Sequence, residues 1–352
     1  MSEPITSVTP ENIPLNVIFE DEHIIAVNKP EGMVVHPAPG SWNGTFVNAL
    51  LYHLGPDAQR LLEETATIGG EQEDDLEPLD LPETPEAARA SPVSLRPGIV
   101  HRLDKGTHKN QSINQSINQC VCNTFDNPGT SGVLLAGKHP EAVAKLSALF
   151  AQRKIRKVYL AITVGHPGEA TVVEPIGRSA KNRQLMTVYD GPPGKPAVTH
   201  LRTLAFDGKL GSVLCRIETG RTHQIRVHLK HRRTPIAGDE AYGNNDWNNK
   251  LSLSDGVRRP LLHAYETEFT HPITGEQLLL RAPVPADMYN LLLKISSSTN
   301  PLVDPVSRLL TGSTAVLGKA PGEVKGGFVP SDRLVFKEQD WTTLRLVEDE
   351  DD

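Results

Sequence analysis

The stretch PGIVHRLDKGT, Pro97 to Thr107, is followed 23 residues later by SGVLLAGK, Ser131 to Lys138. Joined across the gap, the two pieces read as an apolar strand, a charged turn and a second apolar strand. His101, Arg102, Asp104 and Lys105 stand where the first strand ends. Rigid strands that deliver charged side chains to a turn are a common way to build a site. The same residues also suit an ordinary hairpin, because they are turn formers. The remainder of the chain decides between the two.

The interrupting segment, His108 to Thr130, is polar, rich in Asn and Gln, and contains the repeat Gln-Ser-Ile-Asn at 111–114 and 115–118. It has no apolar face to bury and reads as low-complexity sequence. It closes with Gly129-Thr130, duplicating Gly106-Thr107, as an insertion that left its flanking frame intact would do. Closing such a loop costs an entropy that grows slowly with its length, so the flanks can still meet.

With 352 residues the chain is long enough for one large domain or two. No apolar run approaches the roughly 20 residues that span a bilayer. Neither a basic n-region nor an apolar h-region opens the chain, so a cytoplasmic location is expected. Three cysteines, two of them at Cys120 and Cys122, make neither a disulfide framework nor a structural zinc site, and no metal is expected.

The net charge of -7 argues superficially against a nucleic-acid partner. Its distribution reverses that reading. Eleven acids lie between Asp57 and Ala90, and five more from Glu348 to Asp352. Without those sixteen acids and the accompanying Arg60 and Arg89, 27 acids face 34 bases, a balance of +7. The bases are bunched. Lys145, Arg153, Lys154, Arg156 and Lys157 form one cluster; Arg216, Arg221, Arg226, Lys230, Arg232 and Arg233 form another, opposed by Glu218. Such clusters are the footprint of a phosphate-backbone binder.

In chain order, residues 1–13 read as a flexible leader. Two short strands follow in LNVIFEDEHIIAVNKP, then a helix capped by Thr45. Residues 55–96 form a Glu/Asp/Pro-rich acidic loop that interrupts a domain without dividing it. After GVLLAGK, Pro140 opens a helix through Phe150. Strands are predicted at KVYLAITVG, TVVEPI, QLMTVYD, AVTHLRTLAF and SVLCRIET. Thr222 is expected to cap the helix HQIRVHLKHR. LLHAYETEF and QLLLRAP close the sheet, Pro285 begins an amphipathic helix to Ile295, and residues 297–352 read as a loosely ordered acidic tail. Consecutive strands predict an α+β fold with a mainly antiparallel mixed sheet, occupying residues 14–296. No G-x-G-x-x-G or Walker loop occurs, so no nucleotide cofactor is indicated.

Three constellations carry chemistry: His101-Arg102-Leu103-Asp104, the lone Tyr159 in KVYLAI, and TGRTHQIRVH from Thr219 to His228. In the last, His223 and Arg226 are three apart and share a helical face. The turn at Gly220 before a helix N-terminus suits a phosphate.

At these residues the chain resembles RluA-type pseudouridine synthases. NKPEGMVVHP, HRLD with TSG beyond the interruption, KVYLAI, TGRTHQIRVH and LLHAYETEFTHP look like that family's motifs, in order, over roughly Leu15 to Ile295. The resemblance implies a bent, mainly antiparallel sheet flanked by helices. It implies isomerisation of uridine to pseudouridine within RNA, large-subunit rRNA first and tRNA second, by a monomer without cofactor or metal.

Matched residue by residue, Asp104 is the essential carboxylate, Arg226 its ion-pair partner and Tyr159 the residue against the target base. Arg102 enters the RNA where the uridine has flipped out, and His101, Arg221, His223, Lys157 and His36 join the RNA contacts. The carboxylate serves either as nucleophile or as the base that removes a ribose proton. A guanidinium beside it favours its ionised form. An aromatic platform holds the detached uracil, and extrusion of the nucleotide costs a few kcal/mol. Many relatives carry a small N-terminal RNA-binding module, for which the leader is too short, so affinity is expected to rest on the basic clusters. Two other readings stay open: an RNA-binding relative disabled by the insertion, and a glycosidase-like hydrolase that pairs Asp104 with Glu218.

Overall fold

The computed structural model describes residues 8–37, 41–55 and 129–296, together with the backbone of 315–317. The acidic loop, the segment 108–130 up to Pro128, and most of the tail lie outside the described residues, and with them His101, Arg102 and Asp104.

Twelve strands and five helices are found among the described residues. The strands are β1 (Val17–Glu20), β2 (Ile24–Lys29), β3 (Ser131–Gly137), β4 (Arg156–Val164), β5 (Ala170–Val173), β6 (Ile176–Arg178), β7 (Met186–Val188), β8 (Val198–Phe206), β9 (Leu210–Ile217), β10 (Leu262–Thr270), β11 (Gln277–Arg281) and β12 (Ala315–Leu317). The helices are α1 (Phe46–Leu54), α2 (Pro140–Ala151), α3 (Gln224–His231), α4 (Asn245–Ser254) and α5 (Ala286–Ser296).

One ten-stranded sheet runs β1-β2-β3-β10-β4-β9-β8-β5, and β11 joins β10 with β12 beyond it. The pairings are antiparallel except β3 with β10, which makes the fold α+β with a mixed, mainly antiparallel sheet. Strand β10 meets β3 through His263 and Ala264, then β11 through Glu266 to Thr270. The register on β4 shifts between Ala264 and Glu266, where one edge of β10 changes partner. Such a shift bends a sheet locally.

Both faces of the central strands are buried, which accounts for their nearly continuous apolar sequences. On one face Ile25, Val27, Leu134, Ala136, Tyr159, Ala161, Val213 and Cys215 pack against Phe46, Val47, Leu50 and Leu51 of α1 and Ile225 and Leu229 of α3. On the other, Ile24, Ala26, Val133 and Leu135 meet α2, while Val158, Leu160, Ile162 and Leu214 meet α4 and α5.

Thr45 caps α1 in a reciprocal capping box with Asn48, and His139 caps α2 with Pro140 at its first position. Three expectations need correction. Helix α3 starts later than Thr222: its N-cap is His223, in the left-handed region at φ 53°, and no side chain caps it. TVVEPI splits at Glu174-Pro175 into β5 and β6, because Pro175 offers no N–H to a ladder; β6 leaves the main sheet to pair with β7. Within the tail, Ala315–Leu317 forms β12 on β11. Helix α4 is not anticipated by the periodicity, since Leu251 is its one buried residue. Among the described residues no helix is long and apolar enough to cross a membrane.

Candidate active site

The loop before α3 is fixed by one side chain. Gln224 is buried and its amide makes four hydrogen bonds: Oε1 accepts from Thr219 Oγ1 and the Arg221 amide, and Nε2 donates to Val198 O and Thr199 Oγ1. All of its polar capacity is satisfied. Four residues on, His228 donates from Nε2 to Glu174 O and accepts at Nδ1 from Thr199, which sets its tautomer; burial pushes its pKa down. These two side chains seat α3 on β8.

Between them stands Arg226. Only 7% of it is exposed, and its Nε and Nη2 donate to Asp239 Oδ2 and Oδ1 at 2.7 and 2.8 Å. Asp239 is fully buried. The ring of Tyr242 lies 4.8 Å from the guanidinium carbon, and its hydroxyl accepts from Met186 N and shares a hydrogen bond with His223 Nδ1. His223 and Arg226 thus share one assembly, joined through Tyr242, a contact that helical spacing alone did not contain.

Tyr159 is buried in the same apolar cluster as Ile225 and Leu229, the neighbours of Arg226 on α3. Lys157 lies two residues away on β4, half-buried, with its amine 5.4 Å from the centre of the Phe150 ring. Burial pushes the Lys157 amine down to about 8. Arg221 donates from Nε to Pro196 O at 3.0 Å. His36 is buried at 8% exposure, and neither ring nitrogen has a hydrogen-bond partner among the described residues; burial pushes its pKa down to about 3. Glu218 accepts from His200 Nε2 at 2.7 Å.

The downstream flank of the interruption is firmly anchored. Arg259 donates from Nη1 to Gly129 O at 2.8 Å, while its Nε and Nη2 grip Asp287 at the start of α5. Thr130 and Ser131 are buried. Ser131 Oγ donates to His263 Nδ1, whose Nε2 donates to Ala282 O. Gly132, at φ +113°, brings its backbone against Ala264, where a Cβ would sit 2.2 Å from the carbonyl oxygen. Beside it Lys29, 1% exposed, donates to Pro30 O and Met33 O; burial pushes its amine down to about 7. Of the second Gly-Thr copy, Gly129 is half-buried and Thr130 is buried at the start of β3.

Of the two basic clusters, the first is partly neutralised: Lys145 pairs with Glu141, and Arg156 with Glu266 and Glu268. In the second, Lys230, Arg232 and Arg233 stay exposed at the end of α3. Sequence reasoning missed Asp239, Tyr242 and the Arg259–Asp287 pair. A signal existed for the first: a buried arginine needs a carboxylate, and Gly238-Asp239 is near α3 in sequence.

A family model described as RNA pseudouridylate synthase matches residues 109–231. Ribosomal large subunit pseudouridine synthase D of Zymomonas mobilis is 38% identical over 83% of this chain and 75% of its own length. The protein of the same name from Haemophilus influenzae is 36% identical over 82% and 74%. RNA pseudouridine synthase 2, chloroplastic, of Oryza sativa is 34% identical over 82% and 66%. The structure of human RNA pseudouridylate synthase domain containing 1 shares the fold, with a TM-score of 0.50 at 20% identity over 86% of this chain and 96% of that one. With relatives of this identity along most of its length, the chain belongs to the RNA pseudouridine synthase family of isomerases.

Proposed function

We propose that the chain isomerises specific uridines of large-subunit rRNA, with Asp104 as the reacting carboxylate, Arg226 as its cationic partner and Tyr159 against the flipped base. The observation that carries this reading is the buried Arg226, held by Asp239 on a helix whose Ile225 and Leu229 share an apolar cluster with Tyr159. An arginine so placed is a fixed positive charge in a water-poor setting, where a carboxylate partner is worth more than at the surface. The names of the bacterial relatives support rRNA as the substrate class.

In this reading the reaction needs no cofactor. The base is detached, turned on its platform and rejoined through carbon, so atoms and electrons balance within the nucleotide. Arg102 fills the space the uridine leaves, and His101, Arg221, His223 and Lys157 hold the surrounding phosphates. His36 is assigned to the same contacts from its buried position after β2. The insertion favours one competing reading, an RNA-binding relative with an impaired site, because it starts four residues after Asp104.

The test compares the full chain with a version lacking 108–130 on transcribed large-subunit rRNA, reading pseudouridine formed. Product from both supports the proposal. Product from the shortened form alone supports the impaired site, and product from neither removes rRNA as substrate.

A further inference from the structure

We infer that Asp239 is a positioning residue for the isomerisation: it holds the guanidinium of Arg226 by one edge and so fixes the plane and direction of that side chain. This rests on the reading of Asp104 and Arg226 given above.

The geometry is specific. Asp239 accepts from Arg226 Nε at Oδ2, and at Oδ1 from Arg226 Nη2 and the amides of Ala241 and Tyr242. Four donors converge on a carboxylate with no exposed surface. The backbone behind it is equally constrained. Asp239 O accepts from Gly243 N and from Asn248 Nδ2, and Asn248 Oδ1 accepts from Gly238 N. Gly238 sits at φ +77°, and a Cβ there would come within 2.1 Å of Arg259 O. The short helix α4 thus delivers the one side chain that clamps the loop from both sides, which gives this weakly patterned helix a purpose.

Arg226 is used asymmetrically. Its Nε and Nη2 are committed to Asp239, and the Tyr242 ring covers one face of the guanidinium. Among the described residues Nη1 makes no hydrogen bond, although a guanidinium carries five N–H donors in a rigid fork. Gripping one edge fixes the plane and leaves the other edge directed. Fold stability alone explains such a pair poorly, because an isolated buried ion pair is often no better than apolar packing of the same volume. Orientation explains it directly: displacement of about 1 Å at a reacting centre costs on the order of 100-fold in rate.

The experiment measures single-turnover pseudouridine formation by the full chain on transcribed large-subunit rRNA, with the RNA dissociation constant and the thermal midpoint read on the same preparations. Asp239→Asn keeps the shape and the acceptor for Ala241 and Tyr242 but loses one acceptor toward Arg226. The expected result is a rate lowered about 100-fold with RNA affinity held within about threefold. The double variant with Arg226→Gln is expected to be no slower than Arg226→Gln alone, since Asp239 acts through that arginine. Losses that multiply, or a wild-type rate in Asp239→Asn, would overturn the inference. If Asp239→Asn does not fold, Asp239→Glu takes its place, with the carboxylate displaced by one methylene and the same two outcomes. Asp104→Asn is run beside them. A wild-type rate there removes the underlying carboxylate reading, whereas an inactive Asp104→Asn beside an unaffected Asp239→Asn removes the Asp239 inference alone.

Discussion

Arg226 and Asp239 meet through two nearly parallel hydrogen bonds of 2.7 and 2.8 Å, one residue on α3 and the other on the loop that leads to α4. Lysine cannot reproduce that fork. Arg226→Lys keeps the positive charge and loses the two-point grip, and it is expected to lower single-turnover rate by about 100-fold. RNA binding should change little, because the side chain is buried. A rate within threefold of wild type would show that charge alone suffices.

Gly132 makes a second, structural prediction. Its backbone lies against Ala264 at φ +113°, so a methyl group meets both strain and a carbonyl oxygen. Gly132→Ala is expected to cost about 3 kcal/mol, the range of overpacking with backbone strain. Denaturant titration measures it. A change below about 0.5 kcal/mol would mean that β3 and β10 part easily at this point.

Stability should also depend on pH through neutral histidines. Burial pushes His36 down to about 3 and His263 to about 4, and it lowers His228 as well. In the unfolded chain each titrates near its ordinary value of about 6.5. Below that pH the unfolded chain takes up protons that the folded form refuses. The contribution is therefore complete above about pH 6.5 and is lost as the pH falls toward 4. At pH 5, His36 and His263 each remove about 2 kcal/mol relative to pH 7. Equal unfolding free energies at pH 7 and pH 5 would contradict this.

Binding to RNA should be steeply salt-dependent. Lys230, Arg232 and Arg233 are exposed at the end of α3. Replacing all three with Gln is expected to reduce the slope of log affinity against log salt by about 2 to 3. An unchanged slope would place the phosphate contacts elsewhere on the surface.

Much of this architecture was legible in the sequence because local signals agreed with the tertiary result. Alternating and continuous apolar runs marked the strands, and Thr45 and Pro140 marked two helix starts. The failures have local causes. His223 takes a left-handed conformation that spacing cannot reveal, and Pro175 cuts one apparent strand into two. Helix α4 buries almost nothing of its own, so no periodicity announces it. In the site, Tyr159 and Arg226 were readable as motif residues, but the partner that fixes Arg226 was not. Asp239 stands in Gly-Asp-Glu-Ala-Tyr-Gly, which reads as a polar turn until α3 and α4 close around it. The anchoring of Gly129 by Arg259 spans 130 residues, a distance no local pattern crosses.

Asp104 is proposed to carry the chemistry despite the insertion four residues beyond it. The most direct test is Asp104→Asn in the full chain, assayed for pseudouridine in transcribed large-subunit rRNA alongside RNA affinity. Turnover is expected to vanish while the dissociation constant stays within about threefold, since one substitution removes the proposed reacting group and leaves the binding surface. Undiminished turnover, or a loss of binding as large as the loss of rate, would contradict it.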